Sequence, residues 1–87
     1  MYNVGDTWKC TIKNRAYAEV WLDSICDKIE FWKFSVCYKD GSYDLSDLDN
    51  GLSKRSCINQ AIGRLYSKGM ESNEKPRFKK IKEVKKW

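Results

Sequence analysis

Histidine is absent from this 87-residue chain, proline occurs once, and no apolar run approaches the roughly 18 residues needed to cross a bilayer. The first absence removes the side chain most used as a general base near neutral pH, and with it a common ligand of zinc sites. The four cysteines, Cys10, Cys26, Cys37 and Cys57, include no close pair, so neither a zinc knuckle nor a redox CxxC motif is present. No glycine-rich phosphate loop occurs. The acids Asp40, Asp44, Asp47 and Asp49 lack the glycine and closing glutamate of a calcium loop and read as turn and cap chemistry. No catalytic residue, metal or cofactor is therefore expected, and the chain reads as non-enzymatic. The first eight residues lack the basic, apolar, small-residue succession of a signal peptide. The expectation is a cytoplasmic protein, not bound to membrane, whose thiols stay reduced and act as small core residues.

Apolar residues make up 41% of the chain and aromatics 14%, too rich for a disordered protein, and the length suits one domain with a modest core. Charge is segregated. Residues 75–87 carry seven of the seventeen Lys and Arg and one acid, Glu83, a formal +6 that exceeds the net +5 of the whole chain. Clustered charge speaks of a phosphate-bearing or acidic partner, where scattered charge would mainly aid solubility. Phe78, Ile81, Val84 and Trp87 recur at every third position through this segment, so it is expected to dock on the domain with its lysines in water.

Period-2 alternation marks strands at residues 7–13, with Trp8, Cys10 and Ile12 inward, and at 16–23, with Ala16, Ala18, Val20 and Leu22 inward. After a polar connection over 24–28, residues 29–38 form a third strand facing inward with Trp32, Phe34, Val36 and Tyr38. Ile29 and Phe31 fall out of phase, which predicts a bulge near Phe31. Asp40-Gly41 predicts a hairpin with a type I′ turn into a short strand at 42–45, followed by a loop or 3₁₀ turn. The period then changes. Ile58, Ala61, Ile62, Leu65 and Tyr66 define one face of a helix over 53–68, with Ser53 as N-cap and Gly69 after its end. A linker over 70–76 leads to a last, irregular strand of about 78–84. The fold class is mainly β with one helix inserted before the last strand: a small five-stranded barrel or a strongly bent antiparallel sheet.

That element order resembles small SH3-like or Tudor-like barrels. The opening Tyr2-Asn3-Val4-Gly5-Asp6-Thr7-Trp8, the Lys39-Asp40-Gly41-Ser42 hairpin and the closing Phe78-Lys79-Lys80-Ile81 resemble small phage- and prophage-encoded proteins. The resemblance implies a binding module for nucleic acid or protein. The Gly-Asp opening is also similar to that of MazF-type endoribonuclease toxins, but their Arg-Pro motif after the first strand is replaced here by Asn14-Arg15-Ala16.

Two constellations carry the functional expectation. One is basic: Arg77, Lys79, Lys80, Lys82, Lys85 and Lys86, extended by Arg64 and Lys68 one helical turn apart. The other is aromatic: Tyr17 and Trp21, two pleats apart on the outward face of the second strand, offer stacking surfaces, with Trp87 as a third ring. Set against these, the lysines can be plain solvated charge, and the helix can cover the face bearing Trp21. The leading expectation is a module that engages nucleic acid or a nucleoprotein. The alternatives are an inhibitor of a host defence or replication protein and, third, a ribonuclease toxin. A monomer and a homodimer paired through the short fourth strand both remain open.

Overall fold

The alternating segments become strands of one antiparallel sheet, because each has an apolar face to bury and a polar face to leave in water. The computed structural model describes residues 2–12, 16–46, 53–67 and 75–84. Its elements run β1 (Thr7–Thr11), β2 (Tyr17–Cys26), β3 (Ile29–Cys37), β4 (Tyr43–Leu45), α1 (Lys54–Ser67) and β5 (Lys79–Lys82). The strands are ordered β4-β3-β2-β1-β5. The mainly β architecture with a helix before the last strand thus forms as expected. β4 and β5 occupy opposite edges, and no ladder joins them among the described residues.

Ala18, Val20 and Leu22 of β2 stand in register with Val36, Phe34 and Trp32 of β3, and all six are buried. α1 lies across this face. Its buried line is Cys57, Ala61 and Leu65, spaced one turn apart, with Ile58 and Ile62 packed at the margin. The predicted stripe is therefore rotated: Tyr66 is 41% exposed, and Cys57 sits in the core instead. Cys57 behaves there as a small hydrophobe, its thiol pushed up to about 11 by burial. The predicted N-cap is in place, since the Ser53 hydroxyl oxygen accepts the Ser56 N–H at 3.1 Å. Ser53→Ala is expected to cost about 1 kcal/mol and lower Tm by about 4–8 °C in a thermal melt.

The turns depart from the sequence reading in instructive ways. β2 runs on to Cys26, and the polar connection expected over 24–28 shrinks to Asp27-Lys28, both with positive φ of 51° and 66°. Those torsions are the type I′ geometry. At the next hairpin the Gly41 N–H donates to the Tyr38 carbonyl at 2.9 Å, and the Tyr38 N–H donates to the Ser42 carbonyl at 2.8 Å. Only Gly41, at φ 90°, is left-handed. This is a three-residue loop, a type I turn closed by a left-handed glycine, in place of the type I′ turn expected. The predicted bulge lies at the right level but on the facing strand: register slips between Leu22 and Ser24, opposite Trp32 and Phe31, leaving Asp23 as the extra residue.

All four cysteines are free thiols, yet only Cys10 and Cys57 are buried. Cys26 is exposed and Cys37 is half-buried, so two of the four depart from the core role expected of them. Burial raises the Cys10 thiol as well, against the opposing influence of the Arg77 backbone.

The ends of the chain are joined by the Gly5-Asp6 step. Asp6 is 1% exposed. Its Oδ1 accepts the Val84 N–H at 2.7 Å and its Oδ2 accepts the Asn3 N–H at 2.9 Å, while Asn3 Nδ2 donates to the Val84 carbonyl at 2.7 Å. Gly5 has φ 98°, and a Cβ built there would lie 2.8 Å from Val84 Cγ2. Glycine is needed at this position both for the torsion and for the close approach.

Candidate nucleic-acid interface

Because α1 packs mainly on β2 and β3 and takes the Ala18-Val20-Leu22 face, no described element covers the opposite face of the sheet. Register aligns the side chains of that face in rows. Thr11, Tyr17, Cys37 and Tyr43 form one row, and Lys9, Glu19, Ser35 and Leu45 the next. Thr7, Trp21 and Lys33 form a third. Tyr17 and Trp21 thus point outward on the same face, as read from the sequence, but each is half-buried; the helix packs on the other face, which corrects the expectation that it would cover Trp21. The helix chose the inner face because that is where the aliphatic residues of both central strands point.

β5 adds its charge at the β1 edge of this face. Lys79 pairs with Lys9, Lys82 with Thr7, and Lys80 with Trp8 on the helix side. The segment alternates: Phe78 packs on the core, whereas Lys75, Arg77, Lys79 and Ile81 turn outward. With Lys9 and Thr11 these four residues line an open groove of about 340 Å³. Four cations and a hydroxyl thus converge on one hollow, and no carboxylate stands in its lining among the described residues. Ile81, expected to dock, is instead 55% exposed, and Val84 is the half-buried residue that seals the end of the segment against Gly5. Lys9 Nζ lies 4.3 Å above the Tyr17 ring, joining the groove to the aromatic row. The Tyr17 phenol is raised above its ordinary value, first by its hydrogen bond with Cys37.

The remaining predicted residues are distributed otherwise. Arg64 forms an ion pair with Asp44 at 3.2 Å and lies 5.4 Å over Phe34, on the helix side. Asp44 also accepts the Tyr38 hydroxyl at 2.5 Å, and that phenol is pushed up to about 12, by burial first and Asp44 second. Lys80 turns inward, 3.1 Å from Glu83, 3.9 Å from Asp6 and 5.2 Å from the Trp8 ring. Both cations are engaged within the fold and stand apart from the groove. Lys68, Lys85, Lys86 and Trp87 lie outside the described residues.

Sequence reasoning missed Lys9, Thr11 and Lys75. The wet face of β1 was legible, but only its pairing with β5 reveals that Lys9 meets the basic segment. A further cation, Lys54, sits 3.6 Å above Trp8 and 4.6 Å from Tyr2, whose rings meet edge-on with centroids 5.3 Å apart. This cluster fastens the start of α1 to the N-terminal segment.

Among the described residues no group of three or more Cys, Asp or Glu is placed to hold a metal ion. No described helix is long and apolar enough to cross a membrane. The chain matches no family model, no curated protein and no solved structure.

Proposed function

We propose that this chain is a non-enzymatic binding module of the small SH3-like, phage-encoded kind, which holds a nucleic-acid backbone in the groove between β1 and β5. The observation that carries the reading is the convergence of Lys9, Lys75, Arg77 and Lys79 on one hollow beside an aromatic face that no described element covers. Cations so placed neutralise neighbouring phosphates and release their counterions, which makes affinity depend on salt. The strand order also supports the barrel reading, since β1 sits between β5 and β2 and the helix occupies the last connection.

Four phosphate contacts correspond to a slope of about −3 in log K against log salt for a single strand, hence a loss of about 50-fold between 50 and 200 mM. Fluorescence anisotropy with a labelled oligonucleotide at those two concentrations measures it. Affinity that is absent at low salt, or that does not move with salt, removes this function.

A second reading is an inhibitor docking on a host defence or replication protein. It is favoured by Tyr43, 66% exposed, and Leu45, 59% exposed, on the edge strand β4. It requires a partner whose binding survives nuclease treatment and is indifferent to neutralisation of the groove cations.

A further inference from the structure

Resting on that reading, we infer that the ligand is a single strand whose bases stack on Tyr17 and Trp21, with Glu19 between them favouring bases that carry an amino group. The face offered is broad and bears two rings on the same side of one strand, about 13 Å apart by strand geometry. Each ring can take its own base, leaving space for a third above Glu19. A duplex shows only base edges, recessed in its grooves, so rings on an open sheet gain nothing from it. The element that could enter a major groove is α1, and it lies with its apolar side on the sheet and Arg64 paired to Asp44.

The charges fix how such a strand lies. Phosphates belong in the groove of Lys9, Lys75, Arg77 and Lys79, because β2 carries carboxylates on this face. From there the bases point across β1, where Thr7 and Thr11 are small and stand directly beside Trp21 and Tyr17. Asp23 is neutralised by Lys33 at 2.9 Å. Glu19 has no ion-pair partner among the described residues, since the facing Lys9 is drawn over the Tyr17 ring instead. An ionised carboxylate only accepts hydrogen bonds. It therefore suits the exocyclic amino groups of cytosine, adenine or guanine. Uracil and thymine offer a single N3–H flanked by two carbonyl oxygens that repel it.

The test is an anisotropy titration of the full chain with labelled dC and dT 12-mers and a duplex of equal length at 50 and 200 mM salt. Tyr17→Ala, Trp21→Ala and Glu19→Gln accompany the native chain, with circular dichroism to establish folding. Tyr17→Phe and Trp21→Phe retain a ring should either alanine variant unfold. The expected result is preference for dC over dT and for single strand over duplex. Each alanine variant loses about tenfold in single-strand affinity with its salt slope unchanged. Glu19→Gln, able to donate as well as accept, narrows the dC to dT ratio. Single-strand binding should also quench tryptophan emission, and Trp21→Phe should abolish most of that change. Duplex binding as tight as single-strand binding, or alanine variants without effect, overturns this inference while salt-sensitive affinity keeps the proposed function. Failure to bind any oligonucleotide overturns both.

Discussion

Asp6→Ala is expected to lower the melting temperature by about 12–24 °C, corresponding to roughly 3 kcal/mol in a domain of this size. The carboxylate is buried and accepts two backbone N–H groups, from Asn3 and Val84, that have no other described acceptor. Alanine would leave both partly buried donors unpaired, and Lys80 would lose one of its two carboxylates. Against the 5–15 kcal/mol typical of whole proteins, that is a large share for one side chain. The damage should be local in origin. Among the described strands β5 is paired with β1 alone, and Val84 is the point where the N-terminal turn clamps its end. Amide exchange should therefore rise first in the β5 segment and in residues 3–6. A fall in Tm of less than about 4 °C would mean that the clamp does not hold the strand.

The same group sets a pH signature. The Asn3 N–H is the leading cause holding Asp6 below the ordinary carboxylate value, aided by the Val84 N–H and the Lys80 charge and opposed by burial. A folded value below the unfolded one means that, as pH falls, the unfolded chain takes up the proton first. Stabilisation by Asp6 is thus complete above about pH 4 and is lost as pH falls through the depressed folded value. Asp6→Asn does not titrate. The stability gap between the native chain and Asp6→Asn should be widest near neutrality and close as pH falls below the ordinary carboxylate range and through the depressed folded value, since the other acids affect both proteins alike.

The strands were legible because each wears its environment in alternation: Trp8 and Cys10 inward on β1 with Ile12 just beyond its end, Ala18, Val20 and Leu22 on β2. The helix was legible too, but its phase was not. Cys57 weighs little as a hydrophobe in a sequence, yet it is fully buried and opens the stripe that Ala61 and Leu65 continue. Turn type was hidden because Asp-Gly serves both the two-residue I′ turn and the three-residue loop, and the pairing of Tyr38 with Ser42 decides between them. Asp27-Lys28 has no glycine or asparagine to announce a positive φ. The pairing of Cys26 with Ile29 imposes it. At the site, charge segregation and the outward Tyr17 and Trp21 were readable. Which cations share a groove was not, because Lys9 meets Lys79 only through a ladder between the two ends of the chain, and Arg64 and Lys80 are withdrawn by distant acids.

That distinction between total charge and placed charge yields the sharpest functional test. Lys9→Gln, Arg77→Gln and Lys79→Gln in one chain remove three groove cations, leave Lys75, and touch no core residue. Three lost contacts at about 0.7 each flatten the salt slope by about 2, which at 0.1 M salt is a loss of about 100-fold in single-strand affinity. The matched control, Arg64→Gln with Lys80→Gln, removes two cations that already face Asp44, Glu83 and Asp6. Its slope should stay at the native value, with a modest loss of stability: the exposed Arg64–Asp44 and Lys80–Glu83 pairs contribute up to about 1 kcal/mol each, and buried Asp6 keeps its two backbone donors when Lys80 is removed. If the two variants lose affinity in proportion to the charge removed, binding responds to the overall field and the groove has no special standing. If only the first loses it, the positions that β5 fixes beside β1 are what the ligand reads, and folding of the C-terminal segment onto the sheet is the step that creates the site.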